Sequence, residues 1–178
     1  MLFRSSINWF DNCPSVCIVF TPGTVNLTMW CSLRKPKWIC IWRKINQQSP
    51  SGLNGWNTWE PLLIYGKHPK PVGHDSWEIK VSQSENLAHP VPKTLEAWQV
   101  FLEAFTTEGS LVYEPFGGSG TTLIACERLG RRCRAIEISP AYCAVTLQRY
   151  QDATGKTPIL IERKNGKAKH KVFAHKDA

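Results

Sequence analysis

The sequence predicts an α/β fold built on a mostly parallel sheet with helices on its faces. Two observations carry this prediction. From residue 89 onward, helix-like and strand-like segments alternate, an order that is typical of parallel strands joined by crossover helices. The chain has 178 residues, of which 42% are hydrophobic and 20% are charged, which suits one globular domain with a buried core.

The first half of the chain holds most of the tryptophans and predicts three short strands. The compact apolar runs at 17–20, 38–42 and 62–65 are the strand candidates, and turn-forming residues follow the first and the third. Residues 46–57 are rich in Gln, Ser, Gly and Asn and predict a loop. Residues 68–88 are polar and interrupted by prolines and a glycine, so they are interpreted as a connector.

The second half predicts a regular succession of helices and strands. Gly130 stands where a helix would end in a left-handed residue, and Ser139-Pro140 has the capping hydroxyl and first-turn proline of a helix start. Apolar residues between 95 and 105 recur at helical spacing. The predicted elements are a helix over 95–105, a strand over 110–113, a helix over 121–129, a strand over 134–138, a helix from 140 to about 150 and a strand over 157–162.

Positive charge is concentrated at the C-terminus. The net charge is +8, and the residues from Arg163 onward hold six Lys/Arg against one Asp. A basic chain suits a polyanionic partner such as DNA, whereas a solvated, disordered tail would explain the charge equally well.

Cysteine usage and hydropathy point to a cytoplasmic protein without a metal site. The seven cysteines form no Cys-x-x-Cys pair, so they are interpreted as reduced, buried thiols. No run of about 18 apolar residues occurs, and the first residues lack a signal-peptide pattern.

The glycine turn at Gly117–Gly120 is the first candidate functional feature. It follows a predicted strand and opens a predicted helix, where glycines admit a ligand to the backbone and the helix offers free N–H groups. The turn lacks the lysine of a phosphate-binding loop and does not fit the nicotinamide-type Gly-x-Gly-x-x-Gly pattern.

Glu137 is the second candidate, at the end of the next predicted strand. In a doubly wound sheet this position lies beside the glycine turn, where a carboxylate can accept hydrogen bonds from both hydroxyls of a ribose. A surface acid that favours the N-terminus of the following helix is the alternative interpretation.

Three linked motifs give the sequence a family resemblance. Residues 114–122 read Glu-Pro-Phe-Gly-Gly-Ser-Gly-Thr-Thr and resemble the cofactor motif of DNA amino-methyltransferases. Residues 89–94, His-Pro-Val-Pro-Lys-Thr, are similar to the motif that precedes it in that family, and the segments 130–132, 136–138 and 140–142 match those that follow. This order resembles the permuted, phage-type subgroup with a C-terminal cofactor motif, which methylates adenine N6 or cytosine N4.

The resemblance implies a Rossmann-like, three-layer methyltransferase fold, S-adenosyl-L-methionine as cofactor and double-stranded DNA as partner. It implies one methyltransferase domain over 1–162, with catalytic-half strands over 1–67, the connector over 68–88, a cofactor-binding half over 89–162 and a basic tail over 163–178. Val91 and Thr94 depart from the usual motif, which has Thr and Pro there.

The resemblance also assigns roles to individual residues. Glu137 would take the ribose, Ile138 would pack near the adenine, and Lys93 and Thr94 would approach the methionine end. The remaining implied cofactor residues line the turn and the helix start: Glu114, Pro115, Phe116, Gly118, Ser119, Gly120, Thr121 and Thr122.

The catalytic tetrapeptide of this family, Asp/Asn/Ser-Pro-Pro followed by an aromatic residue, does not occur in the 178 residues. In the permuted order it would lie upstream of residue 1, so the sequence is interpreted as an N-terminally truncated methyltransferase, incomplete in its sheet and inactive alone. The alternative is a non-catalytic cofactor- or DNA-binding module that needs a companion chain or dimer partner. A methyltransferase acting on RNA or protein is disfavoured, because those usually carry the cofactor motif near the N-terminus.

Overall fold

The structure is a computed structural model, and it describes residues 17–45, 49–50, 54–67, 70–80, 94–164 and 167–172. Two compact units divide the chain. The first comprises Met1–Gln83 with Val100–Thr107, and the second comprises Ser84–Gln99 with Glu108–Ala178. The helix over Leu95–Phe105 therefore belongs to the second unit up to Gln99 and to the first unit from Val100 onward.

The elements follow the alternation that the sequence predicts, with additions in the first half. A single 3₁₀ turn over Thr24–Asn26 precedes the first helix. The strands and helices are β1 (Cys17–Phe20), α1 (Leu27–Leu33), β2 (Trp38–Lys44), β3 (Ser49–Pro50), β4 (Trp56–Asn57), β5 (Trp59–Gly66), β6 (Ser76–Ile79), α2 (Leu95–Phe105), β7 (Leu111–Glu114), α3 (Thr121–Arg128), β8 (Arg132–Ala135), α4 (Pro140–Thr154), β9 (Ile159–Lys164) and β10 (Lys167–Val172).

The first unit is built on a four-stranded sheet in the order β1-β5-β2-β6. Strand β5 is antiparallel to both of its neighbours, with Cys40 of β2 opposite Leu62 and Val19 of β1 opposite Ile64. Strands β2 and β6 are parallel, with Trp42 opposite Trp77. Of the three strand pairs in this sheet, the one between β2 and β6 is therefore parallel, and the two that involve β5 are antiparallel.

Both faces of this sheet carry packed side chains around β5. Successive residues of a strand point to opposite faces. Leu63 and Tyr65 pack with Trp30 of α1 on one face. Leu62 and Ile64, on the other face, are fully buried.

An aromatic cluster joins the second face of the sheet to the last turns of α2. Phe101 meets the rings of Trp42 and Trp77 edge-on, at centroid distances of 5.8 Å and 5.7 Å. Phe105 meets Trp77 in the same way at 5.9 Å. Edge-to-face pairs contribute about 0.5–1.5 kcal/mol each beyond the burial of their area, so this cluster fixes the helix on the sheet.

The interpretation of 68–88 as a connector is wrong for Ser76–Ile79, which form strand β6. The four residues alternate exposed and buried positions, with Trp77 and Ile79 inward. This is the period-two pattern of a strand with one buried face, and the surrounding polar residues conceal it. The loop predicted over 46–57 likewise contains the short ladder of Ser49–Pro50 with Trp56–Asn57.

The second unit begins with a parallel pair of strands. Strands β7 and β8 pair from Leu111 opposite Arg132 to Glu114 opposite Ala135, with α3 as the crossover. The predicted helix end is confirmed, because Gly130 adopts a positive φ of 69°. The predicted cap of α4 is confirmed as well, since the Ser139 hydroxyl accepts the Tyr142 N–H at 3.5 Å.

Two strand boundaries differ from the sequence prediction. Strand β8 lies over Arg132–Ala135 and not over 134–138, because the Ile136 carbonyl accepts the Gly117 N–H at 2.8 Å. That carbonyl is therefore engaged with the glycine turn. The boundary of a basic tail at 163 falls inside a strand, since β9 continues to Lys164 and pairs antiparallel with β10.

The described residues contain neither a candidate membrane-spanning helix nor a candidate metal-binding cluster. In that part of the chain, no helix has the length and apolarity needed to cross a membrane. The same residues contain no group of three or more His, Cys, Asp or Glu side chains placed to hold a metal ion.

Candidate functional site

The glycine turn of the second unit is held by its own backbone. The Gly120 N–H donates to the Gly117 carbonyl at 2.9 Å, and Gly120 in turn caps α3 by accepting the Ile124 N–H at 3.0 Å. Gly118 and Gly120 have φ values of 53° and 81°, a region that side chains with a Cβ rarely enter. The turn thus requires glycine for its shape at both positions.

The space around the turn differs between its glycines. A Cβ on Gly120 would lie 2.6 Å from Thr146 Cγ2, and one on Gly117 would lie 3.3 Å from the Ile136 carbonyl oxygen. A Cβ on Gly118 would meet no atom closer than 3.8 Å. Gly120 and Gly117 are therefore packed against the protein, while Gly118 faces open space where a ligand can approach.

Glu137 reaches back to this turn and is oriented by backbone donors. Its Oε2 accepts the Gly118 N–H at 2.7 Å, and its Oε1 accepts the Ser139 N–H at 2.8 Å. The hydrogen bonds from Ser139 and then Gly118 lower the pKa of the Glu137 carboxyl from its ordinary value. A backbone hydrogen bond from the Ile138 N–H lowers it further, so three backbone donors orient this carboxylate.

Glu114, at the end of β7, is oriented in a similar way. Its Oε1 accepts the Phe116 N–H at 3.0 Å, and its Oε2 accepts the Thr122 hydroxyl at 2.9 Å. The same hydroxyl accepts the indole N–H of Trp98 at 2.7 Å. A chain of hydrogen bonds therefore runs from Trp98 through Thr122 to Glu114, and Thr122 is committed to positioning the carboxylate.

Side chains of helix α4 hold the glycine turn by hydrogen bonds. The Thr146 hydroxyl donates to the Gly118 carbonyl at 2.8 Å. The Arg149 guanidinium donates through one nitrogen to the Ser119 carbonyl and, at 2.9 Å, to the Ser119 hydroxyl. Burial lowers the pKa of Arg149, although an arginine stays charged at neutral pH. Ser119 and Thr121 are buried under this contact.

Thr94, directly before α2, carries an unsatisfied polar atom. Its side chain is buried, and among the described residues no hydrogen-bond partner is found for its hydroxyl. A hydroxyl at this position normally accepts an N–H of the first helical turn. An unpaired buried hydroxyl costs about 1–3 kcal/mol, which a bound polar ligand would recover. Lys93, the neighbouring predicted residue, lies outside the described residues.

Apolar side chains flank the turn and remain in solvent. Phe116 is 60% exposed and Ile138 is 85% exposed, and Pro115, directly before Phe116, is exposed as well. Large apolar side chains beside an ordered carboxylate and the open space at Gly118 suit a ligand with both an aromatic ring and hydroxyl groups.

The structure brings together most of the predicted residues and adds three that the sequence analysis missed. Glu114, the turn residues, Thr122 and Glu137 are linked by the hydrogen bonds given above, and the Thr121 hydroxyl accepts an Arg149 N–H at 3.5 Å. Trp98, Thr146 and Arg149 were missed because their partners are distant in sequence. A weak signal exists for two of them, since Thr146 and Arg149 are three residues apart and therefore share a face of α4.

A strand, a glycine turn that opens a helix, and an acid beyond the next strand are the elements from which Rossmann-like folds build nucleoside-binding sites. The chain belongs to the DNA methylase family. The model of this family matches residues 33–148, which are more than half of the chain.

Individual relatives agree with this family. The chain is 34% identical over 86 residues to the type II methyltransferase M2.DpnII of Streptococcus pneumoniae, covering 48% of this chain and 32% of the relative. It is 23% identical over 166 residues to the type II methyltransferase M.HpaI of Haemophilus parainfluenzae, covering 69% and 53%. The chain thus spans between about a third and a half of these curated relatives.

Solved structures share the fold. The M1.HpyAVI–SAM complex superposes with a TM-score of 0.62 at 21% identity, over 81% of each chain. The cytosine-N4-specific PvuII DNA methyltransferase superposes with a TM-score of 0.61 at 17% identity, over 77% of this chain and 64% of that one. The predicted Rossmann-like methyltransferase fold is therefore confirmed.

Proposed function

We propose that this chain forms the cofactor-binding half of an S-adenosyl-L-methionine-dependent DNA methyltransferase that acts on an exocyclic amine, adenine N6 or cytosine N4. The observation that carries the proposal is the Glu137 carboxylate, which the N–H groups of Gly118 and Ser139 orient beside the glycine turn. Two adjacent hydroxyls of a ribose match that pair of acceptors.

Three features of the site support the fit of this cofactor. The open space over Gly118 admits a ligand to the backbone, and Phe116 and Ile138 offer apolar surface for an adenine ring. The buried hydroxyl of Thr94 lacks a partner that the polar methionine end would supply. When bound, the cofactor supplies an electrophilic methyl group to the target amine.

The residues of this chain then have distinct tasks. Glu137 binds the ribose, Ile138 and Phe116 contact the adenine, and Lys93 and Thr94 hold the methionine end. The carboxylate of Glu114 and the backbone of Pro115, Gly118, Ser119 and Gly120 line the remainder. Thr121 and Thr122 act from behind the turn, Thr122 by fixing Glu114.

The proposed substrate is double-stranded DNA, and methyl transfer by the 178 residues alone is not expected. The family's Pro-Pro-aromatic tetrapeptide would accept hydrogen bonds from the target amine and stack on the flipped base. We propose that this motif is supplied from outside these residues. Membership of the DNA methylase family and the basic net charge of +8 support DNA as the partner.

Isothermal titration calorimetry with S-adenosyl-L-methionine and its demethylated product tests the cofactor proposal. Glu137→Gln should weaken binding roughly ten- to hundredfold, because the amide loses the charge and replaces one acceptor oxygen by a nitrogen that cannot accept a ribose hydroxyl. Glu103→Gln is the matched control, since Glu103 is an exposed acid on α2. Absence of binding by the unmodified chain, or equal affinities for the two variants, would contradict the proposal.

A second candidate function is a non-catalytic module that associates with a companion chain. The exposed side chains of Leu111 and Tyr113 on β7 favour it, because parallel strands are normally covered on both faces. Labelled-cofactor assays on unmethylated DNA separate the two. Transfer by this chain alone would contradict the need for a companion, whereas transfer only after adding a polypeptide with the tetrapeptide would support it.

A further inference from the structure

The C-terminal strands form a two-stranded antiparallel ribbon. Strand β9 pairs with β10 over six positions, from Lys164 opposite Lys167 to Ile159 opposite Val172. Among the described residues, no third strand joins this pair. The two residues between the strands are Asn165 and Gly166 in the sequence, the dipeptide most favoured in two-residue hairpins.

The register sorts the residues of the ribbon into two faces. Directly opposite residues of an antiparallel pair share a face, and successive residues alternate between faces. One face therefore carries four lysine positions with one acidic and one apolar position: Lys164, Lys167, Lys169, Lys171, Glu162 and Leu160. The other face carries mainly apolar positions: Ile159, Ile161, Ala168, Val172, Arg163 and His170.

This arrangement is unfavourable for the ribbon in isolation. Lys164 stands directly opposite Lys167, and like charges at opposed positions destabilise a strand pair. Ile159 and Ile161 are 61% and 52% exposed, so these two side chains gain little from burial. An isolated two-stranded hairpin is marginally stable in water. Bound anions on the lysine face would offset the repulsion.

We propose that the lysine face of this ribbon, at positions 164, 167, 169 and 171, binds the phosphates of DNA. The inference rests on the proposed function, because membership of the DNA methylase family is what makes DNA the polyanion concerned. The new element is the surface of the chain that contacts the DNA. These lysines would orient the protein on the duplex without reading the base sequence.

The geometry of the ribbon suits this partner. Lysines at every second position of β10 lie about 6.8 Å apart along the strand, so Lys167, Lys169 and Lys171 form a continuous row. A two-stranded ribbon also fits the major groove of B-form DNA, which is about 12 Å wide. A solvated tail, in contrast, would hold the same charge without any preferred face.

The salt dependence of DNA binding by the full chain tests the proposal, with a labelled duplex of mixed sequence as the probe. The decisive variant exchanges neighbours in β10: Lys167→Ala with Ala168→Lys, and Lys169→His with His170→Lys. Composition and net charge stay constant, but two lysines move to the opposite face. The slope of log affinity against log salt should fall by about 0.9 for each lysine moved.

Two companion variants calibrate this result. Replacing Lys167, Lys169 and Lys171 by glutamine should lower the slope by about three, while replacing them by arginine should preserve it. Cross-strand NMR contacts between Ile159 and Val172 verify the ribbon in each variant.

The outcomes are distinct. A lower slope in the exchanged variant with a preserved slope in the arginine variant supports the lysine face. Equal slopes for the unmodified and exchanged chains overturn it and leave the proposed function intact. Absence of DNA binding by the unmodified chain overturns both this inference and the DNA part of the proposed function, while cofactor binding remains a separate measurement.

Discussion

The N–H of Gly118 donates to Oε2 of Glu137 at 2.7 Å, which ties the glycine turn to an acid 19 residues further along the chain. The bond performs two tasks. It orients the carboxylate for a ligand, and it satisfies a backbone donor that the left-handed conformation of Gly118 turns away from any helix or strand. A single contact thus connects the shape of the turn to the proposed recognition of the ribose.

The pH dependence of cofactor affinity follows from this contact. Hydrogen bonds from Ser139 and Gly118 lower the pKa of Glu137, so the carboxylate persists below the ordinary glutamate value of about 4.3. Its contribution to binding is present while the carboxylate is ionised and is lost as pH falls through its lowered pKa. Affinity should therefore stay constant from neutral pH to below the ordinary range and then decrease. Calorimetry across acid pH checks this, and a decline already near pH 6 would contradict it.

Alanine substitutions at two glycines should have unequal effects. Gly118→Ala meets open space and costs mainly the left-handed backbone, about 1–2 kcal/mol of unfolding free energy. Gly120→Ala adds a clash with Thr146 and should cost clearly more. Denaturant unfolding measures both values. Thr146→Ala should recover part of the loss at position 120 and none at 118, and an equal response at the two sites would refute the steric account.

The contact from α4 should matter for cofactor binding as well as for stability. Thr146→Val removes the donor to the Gly118 carbonyl with little change of shape, at a cost of about 0.5–1.5 kcal/mol. Arg149→Met removes the donors to Ser119 and should cost about 1–3 kcal/mol. Both variants should weaken binding of the demethylated product while the amide resonances of residues 117–120 shift.

Arg149→Lys is the informative companion for this contact. A lysine keeps the charge but offers no planar fork, so it should restore stability only in part. Unchanged affinity in both Thr146→Val and Arg149→Met would show that the turn keeps its shape without α4.

The site was more predictable than the architecture that supports it. The glycine turn at 117–120 and Glu137 follow from local patterns, because a turn between strand and helix and an acid one unit later are close in sequence. The family resemblance supplied the remaining site residues of 114–122. Trp98, Thr146 and Arg149 act across 24 to 30 residues, and only packing brings them to their partners. Apart from the three-residue spacing of Thr146 and Arg149, no composition or periodicity in those segments distinguishes them from ordinary helix residues.

Strands β6 and β10 were missed for different physical reasons. Ser76–Ile79 has the alternation of a strand, but a parallel neighbour 35 residues away in sequence decides its pairing. The strand over Lys167–Val172 has a local signal in the preceding Asn165-Gly166, but the segment was interpreted from its charge alone, as a basic tail. Pairing with β2 makes Ser76–Ile79 a strand despite its polar surroundings. The favoured hairpin dipeptide does the same for the charged segment Lys167–Val172.

Two cysteines of the second unit should differ in reactivity. Cys126 is fully buried, and the hydrogen bond with Cys133, followed by burial, raises its pKa. The same hydrogen bond lowers the pKa of the partly exposed Cys133. Iodoacetamide labelling at neutral pH should therefore modify Cys133 and spare Cys126 in the folded chain. Peptide mapping by mass spectrometry reads this out, and labelling at Cys126 first would contradict it.

The relay from Trp98 to Glu114 gives the last prediction. Thr122→Val keeps the volume of the side chain but leaves the indole N–H of Trp98 and Oε2 of Glu114 without their shared hydroxyl. Leaving buried or part-buried polar groups unpaired costs about 1–3 kcal/mol, so the unfolding free energy should fall by that amount. Thr122→Ser keeps the hydroxyl and loses one methyl, so it should retain both hydrogen bonds and most of the stability. Cofactor affinity should follow the same order, since only Thr122→Val releases the Glu114 carboxylate. A loss in Thr122→Ser as large as in Thr122→Val would assign the effect to packing of the methyl group and exclude the relay.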